Sequence, residues 1–346
     1  CANEIIKHMP SVEMVRFQAS GTEADMIAIR MARAITGKLK VIKIGGSYHG
    51  WADQFLLSTD YPNTGNHHSG GVPENVYVHT IEVQPNDIEG LIEVFEKSAD
   101  AGGVAAVIHE PTGGHAGTFP VHPEFNQQLR DVCDKYGALL IFDEVVSGFR
   151  MALGGGQAYY NVMPDITVLG KVITHGYPSC GALAGPKDYM RVLHPSKRNG
   201  VSAYTGGTLT ANPISTTAGY HAIRLIEKYG AIDKAADYAS KFVEKINQLF
   251  QTRPDLPFFA YNLQSIVHVE TMCPSGVFLK SSPIPEQVAE QKLRSKLSEQ
   301  VYIALLEQDI LMHGDCKRMY TCLQHDENTL SKTLNAWEKV LELFPK

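Results

Sequence analysis

Asp143 and Lys171 are the two residues of this 346-residue chain whose types and settings together could do chemistry. The acid closes the apolar run Ala138–Leu139–Leu140–Ile141–Phe142–Asp143. The lysine closes the next run, Pro164–Asp165–Ile166–Thr167–Val168–Leu169–Gly170–Lys171. One apolar strand delivering a carboxylate and a second delivering an amine is what pyridoxal phosphate chemistry needs. The amine forms a Schiff base with the aldehyde, and the carboxylate keeps the ring nitrogen protonated so that the ring draws electrons from a carbanion. A partly buried lysine at the strand end would have a lowered pKa and a nucleophilic amine.

Five other stretches could complete such a site. Ser20–Gly21–Thr22–Glu23 opens a helical pattern. A helix start with two hydroxyls, a glycine and free N–H groups makes a phosphate cup, although S-x-x-E is also a plain capping motif. Gly46–Ser47–Tyr48–His49–Gly50 follows a strand ending at Ile44, the position at which open α/β sheets bind ligands. Tyr48 could stack on a flat ring there or simply cover a loop. Glu110–Pro111–Thr112–Gly113–Gly114–His115 follows a strand ending at Ile108 and offers a carboxylate and an imidazole, with His115 either bonding a ligand oxygen or merely exposed. Asp143–Glu144 puts two acids directly after a buried strand, which is costly without partners. Thr205 to Pro213 is a second Gly/Thr loop running into a helix. Arg318 could meet a substrate carboxylate or be an ordinary exposed arginine.

The elements that must position these residues alternate. The pattern predicts a helix over 23–35 stopped by Gly37, strands over 39–44 and 75–81, a helix over 87–98 capped by Asn86, and a strand over 104–108. A helix over 124–136 ends at Gly137. The strands carrying Asp143 and Lys171 follow, then a short apolar strand over 181–185. Such alternation implies an α/β fold with a mostly parallel central sheet and helices on both faces. Beyond it lie helices over 210–228, 231–250, 285–308 and 328–344 and a strand over 264–270. That change sets a large domain at 1–225 and a smaller α+β domain at 226–346. The stretch 56–73, rich in Gly, Asn, Ser, Thr and His, reads as a surface loop.

Composition narrows the class. The chain is 44% hydrophobic and 20% charged with net charge −6, which gives no electrostatic reason for nucleic acid or an anionic membrane as partner. No apolar run approaches a membrane span. Six cysteines are scattered at 1, 133, 180, 273, 316 and 322 without a C-x-x-C pair, so no metal site is expected, and reduced thiols in a cytoplasmic enzyme fit better than a disulfide frame. The chain opens at Cys1 in what reads as the end of an amphipathic helix, with no initiator Met and no signal sequence, so we expect an N-terminally truncated segment of a longer protein.

Taken in order, five stretches resemble the class III, fold type I aminotransferases, and within them the glutamate-1-semialdehyde 2,1-aminomutase group. They are Val15–Arg16–Phe17–Gln18–Ala19–Ser20–Gly21–Thr22–Glu23–Ala24, Gly46–Ser47–Tyr48–His49–Gly50, Asp143–Glu144–Val145–Val146–Ser147–Gly148–Phe149–Arg150, Leu169–Gly170–Lys171–Val172–Ile173, and Gly207–Thr208–Leu209–Thr210–Ala211–Asn212–Pro213. The likeness runs to about residue 225 and then fades. It implies pyridoxal 5'-phosphate as cofactor, with Lys171 forming the Schiff base and shuttling the proton and Asp143 pairing with the ring nitrogen. Ser20, Gly21 and Thr22 would hold the phosphate, with Tyr48 on one ring face and Val145 on the other. Thr208 would reach the cofactor of a neighbouring subunit, which implies a homodimer with shared sites. Three features depart from the family pattern. Val146 stands where many members have Gln, and His115 where they have an acid or Asn. Thr174–His175–Gly176–Tyr177 replaces a glycine run. The 56–73 loop and the stretch 316–330 also differ from the aminomutase.

These features imply an amino donor and a carbonyl acceptor as substrates, with His115, Glu110 and His175 as substrate-side candidates. Intramolecular amino transfer of the aminomutase kind is the second reading, and a catalytically silent binding subunit of the same fold is the third. A nicotinamide dehydrogenase is disfavoured because no G-x-G-x-x-G follows the first strand.

Overall fold

Three successive runs, Val104–His109, Leu139–Glu144 and Ile166–Leu169, are buried at every position. Mostly apolar runs buried throughout suit strands covered on both faces, and they form the centre of a seven-stranded sheet. The computed structural model describes residues 1–59, 62, 64–65, 69–196, 200–271, 285–313 and 318–345, without the side chains of 285–292 and 294–295. The described residues fall into two compact units, one built on Cys1–Glu227 and one beginning at Lys228.

In the first unit the strands are β1 (Met14–Gln18), β2 (Lys40–Ile44), β3 (Thr80–Val83), β4 (Val104–His109), the two-residue β5 (Phe119–Pro120), β6 (Leu139–Glu144), β7 (Ile166–Leu169) and β8 (Gly181–Gly185). The sheet order is β1-β8-β7-β6-β4-β2-β3. Strands β3, β2, β4, β6 and β7 run parallel, while β8 lies antiparallel to both β7 and β1. The fold is thus α/β with a mostly parallel sheet, as the alternation implies.

Side-chain alternation splits the core into two layers. Leu139, Ile141, Ile166 and Val168 pack with Ala24, Ala28 and Met31 of helix α2 (Gly21–Thr36), which follows the short α1 (Ala2–His8). On the other face Leu140, Phe142 and Val107 pack with Phe95 and with Phe125 and Leu129 of the helix Phe125–Tyr136. Each large apolar side chain so buried contributes about 1.5–3 kcal/mol.

Local chemistry shifts several expected boundaries. The stretch Glu74–Tyr77 forms a helical turn, α3, after Pro73, and strand β3 starts only at Thr80. Helix α4 (Ile88–Ser98) is capped by Asp87, whose carboxylate accepts from the Gly90 N–H at 2.9 Å. Asn86, the expected cap, instead holds a left-handed φ of 64° and accepts from the His122 N–H. The 56–73 stretch is not all surface. Leu56, Ser58 and Thr59 are buried, and the buried Lys43 Nζ of β2 donates to the carbonyls of Phe55 and Leu57. Residues 60, 61, 63 and 66–68 of that stretch, with Cys273 and Cys316, lie outside the described residues. The four described cysteines are free thiols.

The second unit packs the helices Ala231–Phe250 and Glu327–Glu342 on an antiparallel sheet of Arg318–Tyr320, Ile266–Glu270 and Phe259–Leu263. Trp337, Phe250 and Phe242 lie in its core.

Candidate active site

Asp143 and Lys171 arrive at the same edge because β6 and β7 are parallel neighbours in register. Asp143 pairs with Val168 and Glu144 with Leu169, and Lys171 comes two residues beyond Leu169. Neighbouring strands lie about 4.8 Å apart, so Asp143 near the end of β6 and Lys171 just beyond the end of β7 leave the sheet at the same edge.

The acid is tightly held. Its Oδ2 lies 2.8 Å from His49 Nδ1, and its Oδ1 accepts from the Val145 N–H at 3.0 Å. Asp143 shares its sheet face with Leu139 and Ile141, the face covered by α2. A third titratable residue stands there: Asp25 of α2 has a carboxylate oxygen within 4.8 Å of ligand atoms of both His49 and Asp143. Burial, then Asp143 and Glu110, push the Asp25 carboxyl well above the usual carboxylate range, against an opposing pull from Lys171. His109, one strand away and edge-on to Phe125 and Phe142, is pushed down to about 3 by burial and by His49.

Lys171 differs from the partly buried strand-end residue that sequence suggests. Strand β7 stops at Leu169, and Lys171 begins a short 3-10 turn, Lys171–Thr174, where it is exposed. Its φ is +44°, a left-handed conformation that a side-chain-bearing residue adopts at a cost of about 1–2 kcal/mol. His115, Ala116, His175 and Ser179 share that rare conformation. Such clustering of backbone strain is characteristic of sites where geometry is fixed by the surroundings.

Helix α2 starts at the expected anion cup. Ser20 is its N-cap, with Oγ accepting from the Glu23 N–H, and Glu23 reaches back to the Ala19 N–H at 2.9 Å. The expected capping and the expected cup therefore occupy the same residues. Two glycines let other chain segments close on this helix start. A Cβ on Gly21 would lie 2.8 Å from Val145 Cγ2, and one on Gly181 would lie 2.0 Å from the Ser20 carbonyl oxygen. Val145 thus sits against the start of α2.

Tyr48 is half-exposed and stacks on His115, with ring centroids 5.8 Å apart and planes 26° from parallel. Glu110 ties these two loops together. Its Oε1 accepts from the N–H groups of Tyr48 and His115, and its Oε2 from that of Ala116. Sequence reading gives Glu110 a substrate contact. In the structure the carboxylate is buried and accepts from three main-chain donors, the geometry of a loop brace. Burial and Asp143 raise its pKa, against His49 and the N–H groups. Glu144 is likewise a brace, accepting from Ser147 Oγ and from the Gly156 and Gln157 N–H groups.

His115 Nε2 lies 2.8 Å from the Thr59 carbonyl oxygen. His175 closes the same short turn that Lys171 opens, and is exposed. Thr208 is exposed in the turn before the helix Pro213–Tyr229. Arg318 is buried in the second unit. Asp25 and His49 escaped the sequence reading. An acid inside the apolar stripe Ala24, Ala28 and Ile29 was the signal for the first.

These residues fit an anionic, flat, aldehyde-bearing group. The α2 start packs against Val145, Tyr48 offers a half-exposed aromatic ring, Asp143 is a fixed, buried carboxylate and Lys171 an exposed primary amine. The class-III aminotransferase family model matches residues 1–256. The chain belongs to the class-III aminotransferases. Members of this family bind pyridoxal phosphate. Among class-III relatives, a glutamate-1-semialdehyde 2,1-aminomutase of Francisella tularensis subsp. mediasiatica is 37% identical over 338 residues, covering 96% of this chain and 75% of its own. An omega-transaminase from Sphaerobacter thermophilus superposes with a TM-score of 0.84 at 29% identity, covering 99% of this chain and 76% of that one. A transaminase with PLP bound gives a TM-score of 0.82 at 32% identity, with the same coverage. The likeness therefore does not fade at residue 225 but spans nearly the whole chain. Among the described residues no helix is long and apolar enough to cross a membrane.

Proposed function

We propose that this chain binds pyridoxal 5'-phosphate and moves an amino group between an amino acid or amine and a carbonyl compound. The observation that carries this reading is that the parallel neighbours β6 and β7 bring Asp143 and, just beyond β7, Lys171 to the same edge of the sheet. When bound, the cofactor supplies an aldehyde for amine capture and a ring that withdraws electrons from a substrate carbanion.

The chain's own groups would then act as follows. Ser20, Gly21 and Thr22 bind the phosphate at the α2 start, where N–H groups and helix dipole favour an anion. Tyr48 and Val145 hold opposite ring faces. Asp143, kept in place by His49 and the Val145 N–H, holds the proton on the ring nitrogen. Lys171 would provide the amine that holds the aldehyde and would serve as the group that moves a proton at its Nζ. His115 and His175 stand on the substrate side, and Glu110 keeps the Tyr48 and His115 loops in place. The cofactor domain would be 1–225 and the smaller domain 226–346. Thr208 of a second copy would complete each site in a homodimer, in keeping with its exposure.

The test is a screen of amino donors with a keto acceptor. The reading expects acceptor-dependent product with wild-type protein and none with Lys171→Ala. No turnover and no visible cofactor absorbance would instead favour a silent subunit. The 37% identity to aminomutases favours a second reading, intramolecular amino transfer. Turnover of a single amino-aldehyde without any acceptor would establish it over the first.

A further inference from the structure

Asp25, His49 and Asp143 come from three separate elements, α2, the loop after β2 and the end of β6, and all three are buried. Their ligand atoms lie within 4.8 Å of one another. The hydrogen bonds are unevenly shared. Asp143 has one on each oxygen, from Val145 N–H and with His49 Nδ1. Asp25 Oδ1 is buried with no hydrogen-bond partner, and so is His49 Nε2. The other charged groups acting on Asp25 are Glu110 from beyond β4 and Lys171 from beyond β7. Strand β8, which also packs on α2, brings no titratable residue.

An ionised carboxylate with 1% exposure and an unpartnered oxygen is expensive. Two carboxylates sharing one small buried space do not both ionise cheaply. The exposed amine of Lys171 is engaged when cofactor is bound, and Glu110 is committed to three main-chain donors. The imidazole is committed to Asp143 through Nδ1. Of the two acids, Asp143 has the partners that stabilise an anion, whereas Oδ1 of Asp25 has none.

Resting on the cofactor reading above, we propose that Asp25 is a positioning residue, a neutral, proton-bearing acid behind the His49–Asp143 pair that leaves Asp143 as the one anion facing the cofactor ring nitrogen. Its carboxyl fills the buried space as a dipole and adds no second negative charge. The direction in which burial and Asp143 push its titration agrees with that state.

Holoenzyme titrations decide the matter. The readouts are the pH midpoint of the visible cofactor band and the cofactor dissociation constant. Asp25→Asn is a neutral mimic and should keep the midpoint within a few tenths of a pH unit and the affinity within about twofold. Asp25→Ala, which empties the space, should shift the midpoint by about one unit and weaken cofactor binding about tenfold. A midpoint in Asp25→Asn lowered by a full unit would mean that a negative charge had been removed, and would overturn the proposal. Wild-type behaviour in Asp25→Ala would also overturn it. Should the variants fail to fold, infrared spectra of wild-type holoenzyme labelled with carbon-13 aspartate answer the same question. A protonated aspartate carbonyl band at neutral pH supports a neutral Asp25, and its absence contradicts it. A wild-type protein that shows no visible cofactor band would fail the cofactor reading itself, a separate outcome.

Discussion

The two ends of the candidate site are built on opposite principles. At the acid end, Asp143 is buried, carries a bond on each oxygen and is backed by His49 and Asp25. At the amine end, Lys171 is exposed on a strained turn with left-handed backbone. The acid end is assembled by packing, so that its charge is fixed in place before any ligand arrives, as electrostatic preorganisation requires. The amine end is left accessible, as a group must be that exchanges its partner with an incoming substrate.

The difference is sharpest when function and stability are measured on the same variants. Lys171→Ala should lower turnover by about 10³-fold or more, yet change cofactor-free stability by no more than about 0.5 kcal/mol in denaturant unfolding, as surface substitutions do. A large stability loss would mean the lysine is a packing residue after all. Asp143→Ala should reduce turnover by about 10²-fold and also cost about 1–3 kcal/mol of cofactor-free stability, because it orphans the buried His49 Nδ1 and the Val145 N–H. Unchanged stability in that variant would erase the contrast.

Further from the chemistry, Gly181→Ala tests how rigidly the phosphate cup is braced. Its methyl would meet the Ser20 carbonyl oxygen at 2.0 Å, so the α2 start must move. We expect a stability loss of about 1–3 kcal/mol and a raised cofactor dissociation constant. Wild-type affinity would show that the helix start is not part of the binding surface.

The smallest effect concerns pH. His109 titrates at about 3 in the folded chain, below the ordinary histidine range near 6.5. Between those values the unfolded chain binds a proton that the folded chain does not. The stability from its neutral form is therefore complete above about pH 6.5 and lost as pH falls toward 3, at up to about 1.4 kcal/mol per unit. His109→Leu should flatten the acid limb of the stability profile relative to wild type. The buried acids Asp25, Glu110 and Glu144, whose folded pKa values are raised, bias the profile the other way. They are common to both proteins and drop out of the difference. An unaltered acid limb would mean that His109 is not kept neutral by its burial.

The ends of the site also differ in how readable they were. Strands β4, β6 and β7 are legible because burial on both faces leaves unbroken apolar runs, and those runs deliver Asp143 and the lysine turn. Strand β1 is not, because it is an edge strand with Arg16 exposed and neighbours only half-buried. Val76–Tyr77–Val78 has strand composition, but Pro73 starts a helical turn there and tertiary pairing begins only at Thr80. Asp25 and His49 were obscured for a different reason. Their partner is Asp143, far away in sequence, and local pattern carries no trace of a contact made across the sheet. The exposure of Lys171 was likewise set by where β7 stops, one residue before Gly170, which no apolar count predicts.

The central claim is that the amine at position 171 captures the cofactor opposite the fixed acid at 143. Borohydride reduction of the holoenzyme, followed by peptide mass mapping, measures this directly. The account predicts the reduced cofactor covalently attached to the peptide bearing Lys171 and to no other. Attachment at a different lysine, or none in a protein that retains bound pyridoxal phosphate, would contradict it.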